Sequence, residues 1–237
     1  MRIITWNCCG GFLGKAERIA ELRPDIAALQ EVEPISEAGE FPEGARPTYW
    51  HRTSPVSPPK RKAIGMCSFT DIKLTPVGMT YGIRQYRAER GSLVFHVMAA
   101  WTSTTTRPGH RNYRQLHEAL VEQDTWVRAR PTVVLGDLNQ SIKCRGWKPL
   151  MKLIEPLGLV SAYHRKTGEE YGAETRPTHF HRKKQESEFH IDYCFLLGEW
   201  AQHITRVEVG EYGEWTGASD HVPLIVDLDL ESAVAPS

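Results

Sequence analysis

An α/β sandwich, two sheets packed face to face beneath outer helices, is the architecture this sequence predicts. Three features point to it. The chain opens strand–helix–strand, a crossover unit that requires a sheet covered by helices. Strand-like apolar segments recur along its whole length, roughly ten to twelve of them against three or four helical stretches. Several of those strands, Val133-Val134-Leu135 above all, are apolar at consecutive positions, so both of their faces need cover.

The elements follow in order. Arg2 to Asn7 is a strand with Ile3, Ile4 and Trp6 apolar, ended by the flexible turn Cys8-Cys9-Gly10-Gly11. Leu13 to Leu22 is a helix, because Leu13, Ala16, Ile19 and Ala20 fall at helical spacing and Pro24 lies just past the end. Asp25 to Gln30 is a short buried strand that delivers Glu31 at its end. Glu33 to Pro47 and Ser54 to Pro59 are proline-containing loops, and Lys60-Arg61-Lys62 is a basic cluster. Ala63 to Phe69 and Ile72 to Val77 are strands about a Thr70-Asp71 turn, and Ser92 to Trp101 is apolar enough to be central. After a polar loop, Thr102 to His110, the helix Arg111 to Val127 places Tyr113, Leu116, Leu120 and Val127 on one face.

The strand Val133 to Leu135 then breaks at Gly136. Trp147 to Pro156 is a short helix, and Gly158-Leu159-Val160 starts the next turn or strand. Gly168 to Arg176 reads as polar and mobile, Thr178 to His181 as a short strand, and Arg182-Lys183-Lys184 as a second basic cluster. His190 to Leu197, Ile204 to Val209 and Val222 to Leu230 are the remaining strands, with Glu211 to Gly217 a loop between the last two. No low-complexity linker divides the chain. Residues 1–230 therefore read as a single domain and 231–237 as a C-terminal tail.

Composition narrows the function. Lys plus Arg equal Asp plus Glu at 29 each, so there is no global field for a polyanion, and a non-specific DNA coat protein is disfavoured. Any grip on nucleic acid must come from a local patch. The five cysteines are scattered without a Cys-x-x-Cys pair, which argues against a zinc knuckle or a disulfide framework and suits a reducing cytosol. With no signal-peptide pattern and no apolar run of membrane-spanning length, a cytoplasmic, monomeric protein is expected.

Several strands end in a polar residue that a core would not select: Asn7, Glu31, Asp137 with Asn139, Asp192, and Asp220-His221. Singly, each has an ordinary alternative as a turn former or a surface residue. Asp137 and Asn139 alternate at a strand end and so share one face. There a carboxylate can orient or deprotonate a water, and an amide can donate to an oxyanion without adding charge. Carboxylates that meet on one sheet rim repel one another unless a cation sits among them. An oxygen-only ligand set favours Mg²⁺ or Mn²⁺ over zinc.

The segments Thr5-Trp6-Asn7, Leu29-Gln30-Glu31-Val32, Gly136-Asp137-Leu138-Asn139, His190-Ile191-Asp192-Tyr193 and Ser219-Asp220-His221 occur in one order across the chain. In that order they resemble the endonuclease/exonuclease/phosphatase superfamily, which includes deoxyribonuclease I, exonuclease III and the inositol-polyphosphate 5-phosphatases. The stretches Gly158 to Tyr163 and Pro177-Thr178-His179-Phe180 are similar to a small bacterial branch of it. The resemblance implies a four-layer α/β sandwich of two packed, mixed, mostly antiparallel sheets flanked by helices. It implies a divalent-metal-dependent phosphoesterase working by in-line water attack. By position it makes Glu31 the main Mg²⁺ (or Mn²⁺) ligand with Asn7 beside it, and Asp220 a part of that metal site or of its surround. Asp137 would activate the water, Asn139 would bind a non-bridging phosphate oxygen, and His221, held by Asp192, would bind the phosphate. Two positions depart from the pattern. Trp101 stands where many relatives carry His or Tyr, and Cys9 where nuclease relatives often carry an acidic residue.

A phosphodiesterase or nuclease acting on nucleic acid is the first expectation. Trp101, Arg107 and Arg111 would bind substrate, with Arg114 and the two basic clusters along the rim and Tyr81 or Phe180 as further stacking surfaces. A phosphomonoesterase or small-molecule phosphodiesterase acting on a nucleotide, sugar phosphate or inositol phosphate is the alternative, favoured by the neutral charge. A catalytically silent binding domain is the third reading, supported only by Trp101 and Cys9. His179 and His181 alternate on one strand and read as partly exposed rather than as a metal pair, and His190 should face away from Asp192.

Overall fold

The structure is a computed structural model that describes residues 1–33, 35, 41–53, 63–102 and 112–230. Lys60-Arg61-Lys62, Arg107, Arg111 and the tail 231–237 lie outside the described residues. In chain order the strands are β1 (Arg2–Asn7), β2 (Ile26–Val32), β3 (Tyr49–Thr53), β4 (Ala63–Ser68), β5 (Lys73–Thr80), β6 (Ile83–Arg90) and β7 (Leu93–Trp101). They continue with β8 (Thr132–Asp137), β9 (Leu159–Ser161), β10 (His179–Phe180), β11 (Glu188–Phe189), β12 (Asp192–Leu197), β13 (Ile204–Val209) and β14 (Leu224–Leu228). The main helices are α1 (Ala16–Leu22), α2 (Asn112–Glu122), α3 (Asp124–Arg128) and α4 (Trp147–Ile154). Single-turn helices α5 (Ala162–Thr167), α6 (Gly198–Ala201) and α7 (Tyr212–Trp215) complete the set.

Two six-stranded sheets run in the orders β13-β14-β1-β2-β4-β3 and β5-β6-β7-β8-β12-β9, and β10-β11 form a separate hairpin. Each six-stranded sheet holds one parallel pair at its centre, β1 with β2 and β7 with β8, and is otherwise antiparallel. This is the expected sandwich of mixed, mostly antiparallel sheets with flanking helices.

The consecutive apolar residues of the central strands are explained by their two-residue period. Val133 and Leu135 of β8, Phe95, Val97 and Ala99 of β7, and Cys194 and Leu196 of β12 enter the cluster shared with the first sheet. The alternate residues Val134, Met98, Ala100, Tyr193 and Phe195 enter a second cluster with Leu116 and Leu120 of α2 and Trp147, Leu150 and Ile154 of α4. Asp137 and Asp192 share the parity of the first set, so both project toward the space between the sheets.

Some elements differ from expectation. The strands β3 and β6 escape a search for apolar runs. In β6, Arg84, Arg87, Glu89 and Arg90 interrupt a pattern whose buried positions are Ile83, Gln85, Tyr86 and Ala88. The long helix breaks at Gln123, which has φ −103° and ψ 17°, into α2 and α3. Its apolar face holds, with Leu116, Leu120 and Val127 buried. The Glu211–Gly217 loop contains α7. The stretch 168–176 is pinned by side chains: Glu169 accepts from Thr175 and Tyr163, and Glu174 accepts from Gly172 N and lies 3.2 Å from His164. No helix of the described residues is long and apolar enough to cross a membrane.

Gly136 has φ 142°, and a Cβ at that position would sit 1.9 Å from the Ala100 carbonyl oxygen. The parallel pairing of β8 with β7 leaves no room for a side chain. Gly136→Ala is expected to lower the unfolding free energy by about 3 kcal/mol, measured by urea denaturation. A loss under roughly 0.5 kcal/mol, the scale of a surface change, would show that the two strands separate without cost.

Candidate active site

Five stretches of chain meet at one end of the sandwich because of strand direction. Asn7 and Asp137 are the last residues of β1 and β8, while Asp192 is the first residue of β12, which runs antiparallel to β8 in the register Asp192↔Asp137. His221 lies just before β14, the antiparallel neighbour of β1. Glu31 sits near the end of β2, where the pairing with β4 shifts register between Leu29 and Val32. Its φ of 62° shows a locally left-handed backbone at this bulge, which re-aims the carboxylate.

Asn7 ties the two sheets together. Its Nδ2 donates to Asp137 Oδ2 at 3.0 Å and to Glu31 Oε1 at 3.3 Å, and its Oδ1 accepts from Cys9 N at 3.0 Å. Asn139 adopts φ 48°, a conformation asparagine tolerates, and this brings its side chain back onto Asp137. Its backbone N donates to Asp137 Oδ1 at 2.8 Å, and its Nδ2 donates to Asp137 Oδ2 at 2.9 Å and to Thr102 O at 2.8 Å. Both amide hydrogens are therefore engaged within the protein. In this structure Asn139 positions Asp137, and the expected donation to a phosphate oxygen requires one of those bonds to be released.

His221 Nδ1 lies 2.9 Å from Asp192 Oδ2, and its Nε2 faces Asp137 Oδ2 across 4.0 Å. Desolvation opposes charge on this buried imidazole, but the Asp192, Asp137 and Asp220 carboxylates outweigh it and raise His221 to about 9. Burial pushes the Asp137 carboxyl up to about 6. The neighbouring Asp192 adds to that rise, and His221, Asn7 and the Asn139 N–H oppose it.

The motif residues between these groups hold the frame. Trp6 Nε1 donates to His221 O at 3.0 Å, and Ser219 Oγ donates to Asn7 O at 2.7 Å while accepting from His221 N at 3.1 Å. Thr178 Oγ1 accepts from Ile191 N and Asp192 N, each at 3.1 Å, and its carbonyl accepts from Val222 N at 2.9 Å. The Thr102 hydroxyl donates to Leu138 O.

Sequence reasoning placed Thr178 and Ser219 in motifs without assigning either a role, and it missed Thr102 and the placement of His179. His179 bridges to His221, its ring centroid lies 4.4 Å from that of His221, and its Nε2 lies 3.7 Å from Asp220 Oδ2. His179 holds the Asp220 carboxyl well below the usual range. Spacing alone suggested only His181 as its partner. His190 is buried, with Nδ1 2.8 Å from the Arg176 carbonyl oxygen and its ring against Tyr163 and Tyr193. The stacking role expected of Trp101 is corrected: the residue is 6% exposed within the inter-sheet core, in step with Phe95, Val97 and Ala99. Phe180 is likewise buried, and Tyr81 sits in the β5–β6 turn against the α2/α4 cluster.

The donor chemistry suits a hard divalent cation. Among the described residues, the ligand atoms of Asp137, Asp192 and His221 lie within 4.8 Å of one another, and so do those of His179, Asp220 and His221. Asp192 Oδ1 is buried with no hydrogen-bond partner among the described residues. The Glu31 and Asp137 carboxylates flank one amide, and burial pushes the nearby Cys8 thiol up to about 12.

The sequence matches the "Endonuclease/Exonuclease/phosphatase family" over residues 4–221. A search of curated proteins finds no match. Among solved structures, the endonuclease domain of TRAS1, a telomere-specific non-LTR retrotransposon, superposes with a TM-score of 0.70 at 16% identity, covering 97% of this chain and 98% of its own. An AP endonuclease from Archaeoglobus fulgidus gives a TM-score of 0.65 at 17% identity, with coverage of 97% and 99%. A substituted 3′ phosphatase NExo from Neisseria, bound to product DNA hairpin, gives 0.64 at 16% identity, with coverage of 97% and 99%. At these identities the superpositions show a shared fold.

The His221 environment sets a measurable consequence. Its folded-state value of about 9 lies above the ordinary imidazole value, near 6.5 in the unfolded chain. The ion pair therefore stabilises the fold fully below about pH 6.5, and that contribution is lost as pH rises through about 9. NMR titration should find His221 still protonated at pH 8, and Asp192→Asn should return it toward or below the ordinary value. An unshifted wild-type His221 would contradict the geometry.

Proposed function

The chain belongs to the endonuclease/exonuclease/phosphatase family, and from that premise we propose that it is a divalent-metal-dependent phosphodiesterase cleaving nucleic acid. The observation that carries this reading is the 4.0 Å opening between His221 Nε2 and Asp137 Oδ2. It is too wide for a hydrogen bond between them and is bounded by a cation on one side and a carboxylate on the other.

His221, protonated at neutral pH, donates through Nε2 to a phosphoryl oxygen and offsets the charge that builds there during attack. Asp192 fixes the imidazole through Nδ1. Asp137, directed by Asn7 and Asn139, orients the attacking water and accepts its proton, a task suited to a carboxyl raised toward neutrality. Glu31 and Asn7 would hold the metal, Mg²⁺ or Mn²⁺, and the Asp220 carboxylate, beside His179 and His221, would belong to its surround. When bound, that ion supplies positive charge to the phosphoryl group. Residues 1–230 act as one domain, and the free thiols favour the cytosol.

A phosphomonoesterase or small-molecule phosphodiesterase is the second reading. The equal numbers of acidic and basic residues favour it.

Plasmid nicking and phosphate release from a nucleotide panel, each with Mg²⁺ and with EDTA, separate these readings. Asp137→Ala is expected to cut kcat by about a thousandfold, and EDTA should abolish turnover. The rate should rise as pH passes about 6, where Asp137 loses its proton, and fall as it passes about 9, where His221 loses its own. A rate climbing steadily toward acid would refute this assignment.

A further inference from the structure

We propose that Lys15 and Glu33 are positioning residues for the metal-holding pair Asn7 and Glu31, acting together as a clamp on the loop between β1 and α1. The inference rests on the reading of Asn7 and Glu31 as the holders of the metal, and it assigns the groups that keep Asn7 in place.

The sequence makes this loop hard to hold. Cys8-Cys9-Gly10-Gly11 follows Asn7 directly, and two successive glycines give the backbone wide freedom. Cys9, Gly10 and Gly11 are all left-handed, with φ 53°, 76° and 60°. Glycine takes that conformation without strain, whereas a cysteine keeps it only where its surroundings impose it. The imposed turn matters because it aims Cys9 N at Asn7 Oδ1, 3.0 Å away. With its oxygen held there, the Asn7 amide presents Nδ2 to Glu31 and Asp137. Whatever fixes Cys9 therefore fixes the side chain that joins the two carboxylates.

Two charged side chains supply the constraint. Lys15, the residue before α1, donates through Nζ to Cys8 O at 2.7 Å and to Gly10 O at 2.6 Å, the carbonyls on either side of Cys9. The Glu33 carboxylate accepts from Phe12 N at 2.7 Å and from Leu13 N at 2.9 Å, where the loop turns toward α1. One ammonium gathers carbonyls and one carboxylate gathers amides, so both sets of bonds are charge-assisted. Glu33 lies two residues past Glu31, beyond the register shift of β2. It thus ties the loop to the strand end that carries the metal's carboxylate, while Lys15 sets the turn that orients Asn7.

The test titrates the full chain with Mn²⁺, reads free Mn²⁺ by electron paramagnetic resonance, and follows thermal unfolding without metal beside it. Lys15→Met keeps the apolar stem of the side chain and removes its donors. It should weaken Mn²⁺ binding about tenfold, the scale on which partners of metal ligands act. Glu33→Gln, which offers one acceptor oxygen to two amides, should weaken binding in the same direction. Adding Cys9→Gly to Lys15→Met should recover part of the loss, because glycine adopts the left-handed turn unaided. A lysine that only stabilised the fold would show no such recovery. If Lys15→Met fails to fold, Glu33→Gln decides the matter by the same measure. A chain that loses Mn²⁺ through Glu31→Ala but binds it undiminished as folded Lys15→Met overturns the clamp. A chain whose Mn²⁺ affinity is untouched by Glu31→Ala overturns the metal assignment itself, and the clamp with it.

Discussion

Two buried carboxylates facing each other across a strand pair set the terms for this end of the molecule. Asp137 and Asp192 are 1% and 0% exposed and directly opposite in register. Like charges so placed destabilise a fold by several kcal/mol unless a cation and hydrogen bonds compensate them. Among the described residues His221 is the cationic group within 4.0 Å of both. Its loss would leave an uncompensated pair, so the chain invests in holding it. The Trp6 indole grips its carbonyl, Ser219 its amide, and Thr178 the neighbouring strand that carries Asp192. These residues touch no reacting atom, yet their geometry decides whether the imidazole lies between the carboxylates or beside them.

Strand register carries that geometry from one sheet to the other. The two sheets have the same internal plan, a central parallel pair with antiparallel strands outside it. The end of β1 and the end of β8 therefore face each other, and Asn7 spans the join by bonding Asp137. A slip of one residue in β12 would turn Asp192 toward the α2/α4 side and bring Tyr193 into the inter-sheet space. The apolar residues on both faces of β12 resist that slip, because Tyr193 and Phe195 fill one cluster and Cys194 and Leu196 the other. Packing and catalytic placement are one constraint here.

The same logic explains what the sequence disclosed. Strands β1, β2, β7, β8, β12 and β14 are legible because burial on both faces leaves an apolar run. The strand Ile83–Arg90 is not, because its half-buried positions carry arginines that read as a loop until the alternation is seen in space. The polar residues at strand ends were legible as anomalies, and their order resembled a family. The roles of Thr178, Ser219 and Thr102 were illegible because each acts through a hydrogen bond to a distant segment, such as Ser219 to Asn7 across 212 positions. Trp101 misled in an instructive way. It alternates with Phe95, Val97 and Ala99, and that parity is a stronger statement about burial than its aromatic type is about stacking.

The charge of the site itself explains why phosphate-holding groups should sit at a distance from the chemistry. Asp137, Asp192 and Asp220 lie about His221 with His179 at the edge, and Glu31 joins them through Asn7, so carboxylates outnumber the imidazoles. A phosphodiester entering this surround is an anion approaching a negative wall. A divalent cation reverses that sign locally, where phosphorus is attacked, but its field is spent on the carboxylates and the reacting group. The rest of a polyanionic chain needs other partners, and the zero net charge of the protein offers no general attraction. Basic residues close to Asp137 would pair with the carboxylates and quench the base.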